Sequence, residues 1–336
     1  MHIAFLISFA VSFVLNLLLI RVAPRLGLVD VPNERSIHTK IIPRGAGIAI
    51  FIAFIVSSAL YDTTLLKQYP LTIFAFTMVF LVGLLDDMKD ATPFTKFLVI
   101  FIATTTCFFD GIGIHSLGTF FGYELSLGWL ALPFTLFAVS GFTNAMNLVD
   151  GLDGLAAIIS IIILSVLFSI GYQHNDPFIM RVTTALIAAI AAFFYFNWQP
   201  AKIFLGDSGS LTIGFIISIV SVKALEYINP TTILFLAAIP ILDTLIVMIR
   251  RKYHGQSAFK ADKTHLHHIL LHFFDDNVKL TVTVIALIQL LFSLTGLFIM
   301  PLVEQSMVLF LFIVNFLIFF IISTSMLYND INRLLE

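Results

Sequence analysis

About eleven apolar runs divide this chain, at residues 3–20, 45–61, 70–85, 95–111, 128–143, 155–171, 178–196, 209–227, 231–249, 279–300 and 306–327, each near the length of roughly 20 residues that a helix needs to cross a bilayer. No other feature limits the fold so strongly. Water cannot satisfy the backbone inside a bilayer, so each run must close its own N–H and C=O groups as helix. The fold class that follows is an all-α polytopic membrane protein with about eleven transmembrane helices, and residues 1–336 read as a single integral membrane domain. Composition agrees, with 59% hydrophobic and only 11% charged residues. Ordinary soluble domains carry about 25% charged residues. The formal net charge of -2 gives no reason to expect a nucleic-acid partner. The single cysteine, Cys107, lies in an apolar run, cannot form an intrachain disulfide and reads as a packing residue. The first run follows no basic segment, precedes no small-residue cleavage site and is long for a signal peptide, so it reads as a retained helix.

Lys and Arg set the orientation. One set of connections carries Arg21, Arg25, Arg35, Lys40, Arg44, Lys89, Lys96, Lys202, Arg250, Arg251, Lys252, Lys260, Lys263 and Lys279, with Arg333 in the tail. The other carries Lys67, Arg181 and Lys223. The basic set belongs in the cytoplasm, which puts the N-terminus outside and the C-terminus inside. The same connections hold nearly all the Asp, Asn and His able to do chemistry. The longest outer connection, around 112–127, is rich in glycine and aromatic residues and could form a small hairpin.

Four polar segments lie on the cytoplasmic side. In VGLLDDMKD, Asp86 and Asp87 end the third run. Adjacent carboxylates repel and are costly to bury, so they call for a cation. Mg²⁺ suits them because it takes hard oxygen ligands and binds substrate phosphates. A solvated helix end would carry the same residues equally well. In NAMNLVDGLDGLA, Asn144, Asn147 and Asp150 recur every three residues, which one helical turn would set in a row. Gly151 and Gly154 let the chain turn and let a ligand approach the backbone, and Asp153 lies between them. FLGDSGS opens the eighth helix, whose N-terminus offers N–H groups to an anion, while Asp207 could instead be an N-cap. The longest loop, RRKYHGQSAFKADKTHLHHIL, sets His265, His267 and His268 beside Arg250, Arg251, Lys252 and Lys263. It has no cysteine and no clear zinc spacing, and it looks like a phosphate-binding and proton-handling surface. Asp243, inside the ninth run, divides evenly between a packing hydrogen bond and a supporting role at the site. Trp129 and Trp198 read as interfacial anchors.

The motifs PNERSIHTKIIPRGAG, LLDDMKD, NAMNLVDGLDGLA, FLGDSGS, PILDT and HLHH occur in this order along nearly the whole chain. In this the sequence resembles the polyprenyl-phosphate N-acetylhexosamine-1-phosphate transferases, a family of bacterial enzymes that start lipid-linked envelope glycans. The resemblance implies one transferase domain over 1–336 with cytoplasmic catalytic loops, in a bacterial inner membrane. It implies transfer of N-acetylhexosamine-1-phosphate from a UDP-sugar to polyprenyl phosphate with release of UMP. Asp207 and Asn147 match positions that hold Mg²⁺, with Mn²⁺ an alternative. Asp86 and Asp87 match the family's essential acidic pair, one of which would act as a base on the lipid phosphate, the favoured reading, or as a nucleophile in a double displacement. Asp153 and Gly151 match uracil contacts, with Asn144 and Asp150 in the same substrate-binding segment. Lys96 matches a basic residue near the phosphates, and His265, His267 and His268 match the histidine motif near the sugar pyrophosphate, with Arg250 and Arg251 beside it.

Two departures from the family pattern stand out, the first bearing on the turn of the first loop and the second on the sugar. The usual double glycine of the first loop reads Gly45-Ala46-Gly47, and the histidines run His-Leu-His-His rather than three in a row. The second departure is similar to the GlcNAc branch rather than the MurNAc-pentapeptide branch, although UDP-FucNAc and UDP-QuiNAc enzymes share these motifs. The resemblance leaves room for a homodimer. The reading from a different class is a secondary transporter of an anionic solute. That reading would need ionisable residues near the midplane of several helices, and only Asp243 is a clear candidate.

Overall fold

Every apolar run is helical in the computed structural model, which describes residues 1–32, 40–61, 63–253, 255 and 264–335. Arg35, Lys260 and Lys263, used above for orientation, lie outside the described residues. The chain divides into two units, 1–116 with 127–227, and 117–126 with 228–336.

In the first unit the helices are α1 (His2–Val22), α2 (Ala46–Tyr61), α3 (Thr64–Gln68), α4 (Pro70–Lys89), α5 (Pro93–Phe109), α6 (Ala131–Val149), α7 (Leu155–Gln173), α8 (Pro177–Asn197) and α9 (Asp207–Ala224). Several starts are written in the sequence. Pro70, Pro93 and Pro177 open their helices, where a missing N–H costs nothing. Thr92 and Asp176 cap α5 and α8 by accepting from Thr95 N and Ile179 N.

Helix α9 is the hub of this unit. It packs against α2, α4, α6, α7 and α8, and its residues from Ser208 to Val222 are all buried. Glycine makes the approach possible. A Cβ on Gly83 of α4 would lie 2.5 Å from Asp207 O, and one on Gly47 of α2 would lie 2.2 Å from Gly209 N. Small residues serve this purpose in membranes, where lipid supplies little hydrophobic drive and close packing must hold helices together. A short antiparallel pair, β1 (Val29–Asp30) and β2 (Ile42–Pro43), reaches the segment before α9. Phe204 N donates to Pro43 O, and Ala46 N and Gly47 N donate to Phe204 O and Leu205 O. The first loop is thereby tied to the FLGDSGS segment.

The second unit holds α10 (Pro230–Leu236), α11 (Ala238–Tyr253), α12 (Leu266–Phe273), α13 (Val278–Phe298) and α14 (Gln305–Leu335). The hairpin expected around 112–127 is present as β3 (Ser116–Phe120) and β4 (Tyr123–Ser126). Gln305 holds it, accepting from Thr119 N and donating to Leu117 O. Phe235, Ala238, Leu242, Ile246, Met300, Val308 and Phe312 form this unit's apolar core.

The ninth run is not one straight helix. It bends by 90° between α10 and α11. Pro240 is the reason: it has no N–H to give to Leu236 O, four residues back. Gln289 and Ser293 of α13 make good the loss. Both donate to Leu236 O, and Gln289 Oε1 accepts from Ile239 N. An unsatisfied backbone group in lipid would cost several kcal/mol.

Among the described residues, eight helices are long and apolar enough to cross a membrane, or nine if the bent pair is one span. Two more apolar helices, α2 and α5, are shorter. The chain is an all-α, multi-pass membrane protein.

Candidate active site

The start of α9 gathers the acidic residues. Gly206 precedes it with φ 73°, and a Cβ there would lie 2.6 Å from Asp87 Oδ2, so only glycine fits. Asp87, near the end of α4, aims its carboxylate at the free N–H groups of α9. Oδ1 accepts from Asp207 N at 2.8 Å and Oδ2 from Ser208 N at 3.0 Å. Asp87 is only 2% exposed, and the positive end of α9 offsets its burial. Asp207 is therefore not an N-cap but the first helical residue, capped from another helix. Arg44 donates to Asp87 O and so satisfies a carbonyl in the last turn of α4.

Asp86 faces a different neighbour. Lys96 Nζ, on α5, lies 3.2 Å from Asp86 Oδ1 and 2.8 Å from Asp207 Oδ2. The side chains of Asp86, Lys96 and Asp207 are 15%, 23% and 26% exposed, so this bridge opens to the surroundings where Asp87 does not. Asn147, on α6, donates to Asp207 Oδ1 at 3.2 Å and to Ser210 Oγ at 2.7 Å. Asn144 lies one turn earlier on α6, but the expected row stops there. The helix ends at Val149, and Asp150 is its C-cap, outside the helical repeat. Burial pushes the Asp150 carboxyl up to about 8, and the negative charges of Asp207, Asp87 and Asp153 push the same way.

Asp153 and Gly151 lie in the turn that leads to α7. Asp153 Oδ2 accepts from Ala201 N at 2.9 Å, and Gly151 is exposed. Asn197, at the end of α8, ties this turn to the segment before α9 by accepting from Gly154 N and donating to Ile203 O. The sequence reading passed over Asn197. Its signal was a lone amide closing an otherwise apolar helix. Trp198, read above as an interfacial anchor, packs against the Gly154 turn.

The histidine segment belongs to the second unit. Asp243 Oδ2 lies 2.8 Å from His265 Nδ1, and Asp243 Oδ1 accepts from Leu266 N at 2.7 Å. His265 and His267 stack at 5.8 Å, and His267 meets His268 at 4.2 Å. Burial drives the His267 imidazole down to about 3, helped by His268. Arg250 donates to Thr264 O and Ser323 Oγ, and Arg251 Nη2 lies 3.4 Å from His265 Nε2. His265, His267, Arg250 and Arg251 are all buried, where the sequence suggested an open cationic surface. The physical reason is Asp243. A carboxylate within the bundle draws in the imidazole and backbone that satisfy it.

Residues 69–225, which run from the start of α4 to the end of α9, match the model of glycosyl transferase family 4. A probable undecaprenyl-phosphate N-acetylglucosaminyl 1-phosphate transferase of Bacillus subtilis (strain 168) is 35% identical over 330 residues, covering 95% of this chain and 89% of that protein. The chain belongs to glycosyl transferase family 4. Undecaprenyl-phosphate α-N-acetylglucosaminyl 1-phosphate transferases of Yersinia pestis and Escherichia coli (strain K12) are 33% and 31% identical, covering 80% and 75% of this chain and 74% and 71% of theirs. The family resemblance drawn from the motifs is thus the right one, and the chain is a membrane-bound sugar-phosphate transferase. The family match spans the whole acidic cluster of the first unit, from Asp86 to Asp207.

Proposed function

We propose that this enzyme transfers GlcNAc-1-phosphate from UDP-GlcNAc to undecaprenyl phosphate and releases UMP at the cytoplasmic face of a bacterial inner membrane. An oxygen of the lipid phosphate attacks the sugar-bearing phosphorus of the donor. The bond from that phosphorus to the bridging oxygen breaks, and UMP leaves with that oxygen. The observation that carries this reading is the Asp86–Lys96–Asp207 bridge at the start of α9, partly open and backed by a capped helix end. Lys96 suits a phosphate that must be held close to carboxylates. Asp86, free of the capping task that occupies Asp87, suits a base that takes the proton of a monoprotonated lipid phosphate. Asp153 and Gly151, in the turn fixed by Asn197, suit the uracil ring.

A divalent cation fits the residues present. Carboxylates of Asp86 and Asp207 converge on one ammonium, and the Asp87 carboxylate sits at the same helix start. Asp207 and Asn147 would hold Mg²⁺ or Mn²⁺. When bound, such an ion neutralises charge on a pyrophosphate. Among the described residues no three His, Cys, Asp or Glu form a ready cage for a metal. That suits Mg²⁺, which usually takes one or two carboxylates and fills its shell with water and substrate phosphate.

The relatives' names favour GlcNAc over FucNAc, QuiNAc or MurNAc-pentapeptide. The decisive assay incubates purified protein with undecaprenyl phosphate and each UDP-sugar, with Mg²⁺ or with chelator, and identifies the lipid products by mass. GlcNAc-pyrophosphoryl-undecaprenol and UMP are expected with metal only. Full turnover in chelator removes the metal from the scheme, and no lipid product with any UDP-sugar removes the reaction. If α2, α5 and the bent pair also cross, the spans number about eleven, with the N-terminus outside and the C-terminus in the cytoplasm. A cysteine placed at Glu124 should then label from outside and one at Ala91 from the cytoplasm.

A further inference from the structure

Asp243 and Arg250 stand seven residues apart on α11 and so share one face of it. Both grip the chain just where it leads into α12. Arg250 Nη1 donates to Thr264 O at 3.0 Å, and Asp243 takes both Leu266 N and the His265 ring. Asp243 and His265 side chains are each 6% exposed, so water does not compete for this contact. The far nitrogen of the ring, Nε2, faces Arg251 Nη2 at 3.4 Å. His267 stacks on the same ring at 5.8 Å.

The donors and acceptors allow one consistent assignment. A carboxylate has only lone pairs, so the hydrogen in its contact with His265 lies on Nδ1. Arg251 has only donors, so Nε2 must offer a lone pair. The opposite tautomer would set lone pair against lone pair at Asp243 and N–H against N–H at Arg251. From this geometry we infer that Asp243 is a positioning residue for the transfer reaction. It fixes His265 in the Nδ1–H tautomer and keeps Nε2 as the acceptor next to Arg251. The inference rests on the reading of His265 as part of the transferase site. Partners of this kind set the orientation and tautomer of a histidine, and their loss typically costs roughly 10–100-fold.

The test has three arms. The first needs only the wild-type protein, labelled with ¹⁵N-histidine in detergent, the His265 signals being assigned by their disappearance in His265→Gln. Proton on Nδ1 is expected, and proton on Nε2 overturns the inference whatever the activity. The second compares Asp243→Asn with Asp243→Glu, both checked by thermal unfolding. The amide should lower kcat by roughly 10–100-fold with KM for the UDP-sugar little changed. The glutamate, which keeps two acceptor oxygens where the amide keeps one, should recover part of that loss. Wild-type kcat in Asp243→Asn overturns the proposal. The third is a double-mutant cycle. If Asp243 acts through His265, then Asp243→Asn with His265→Gln is no slower than His265→Gln alone, whereas additive losses refute that route. A wild-type protein with the expected tautomer but no transferase activity would instead count against the proposed function.

Discussion

The acidic cluster of the first unit and the histidine cluster of the second are built on the same device and finished differently. In each, a buried aspartate from one helix receives the start of another: Asp87 takes the first two N–H groups of α9, and Asp243 takes the first of α12. Around Asp87 the next shell is partly open, with Asp86, Lys96 and Asp207 sharing charge at the rim. Around Asp243 the next shell is closed, with His265, His267, Arg250 and Arg251 all buried. One arrangement leaves charged groups ready to meet a ligand. The other closes over its charged groups and holds the histidine segment, His265 included, in one orientation.

The strongest way to break that comparison is Asp87→Asn. The amide keeps the volume but turns an N–H toward one of the two helix N–H groups. A fall in kcat of ~10²-fold or more is expected if the start of α9 organises the reaction. A folded variant with near-normal kcat, measured by steady-state kinetics in detergent, would show that capping of α9 is irrelevant to chemistry.

A smaller effect should appear in the second unit as a function of pH. His267 titrates near 3 when folded and near 6.5 in a free chain. Between those values the unfolded chain binds the extra proton, so stability falls as pH drops below about 6.5 and levels off below about 3. The loss is roughly 1.4 kcal/mol per pH unit within that window. Thermal unfolding from about pH 7 to about pH 5 should therefore lower Tm more in the wild type than in His267→Asn. Equal shifts would mean that His267 is not held neutral by burial.

The smallest effect concerns the nucleotide. Asp153 accepts from Ala201 N and lies in the turn proposed to meet uracil. Asp153→Ala should raise KM for the UDP-sugar several-fold with kcat less affected, as when uniform binding is lost. An unchanged KM would move the base-binding role out of this turn.

Much of this was legible in the residues because lipid leaves the backbone few options. Runs of bilayer length had to be helices, and each of them is. The glycine- and aromatic-rich segment near 112–127 gave its hairpin for a local reason as well, since turn residues act where they stand. What could not be read were contacts made across the sequence. Asp87 and Asp207 both stood out, yet nothing local says that one caps the helix of the other, 120 residues later. Asp243 was evenly divided between two roles because its partner, His265, lies 22 residues away beyond a long loop. Asn197 escaped notice because a single amide at a helix end is common, and its importance comes from the two segments it joins. The break inside the ninth run was not read, because Pro240 lies in an unbroken apolar run and a membrane helix can carry a proline without parting.

That break also has a consequence in time. The bent span cannot satisfy Leu236 O from within itself, and its remedy, Gln289, lies 53 residues further along the chain. At 5–20 residues per second, synthesis reaches Gln289 roughly 3–10 s after the bend has been made. During that interval the α10–α11 segment carries an open carbonyl that lipid cannot accept. The membrane-insertion machinery, or water at the interface, must shelter it until α13 arrives. The bend and its partner helix therefore settle into the bilayer as one assembly step rather than two.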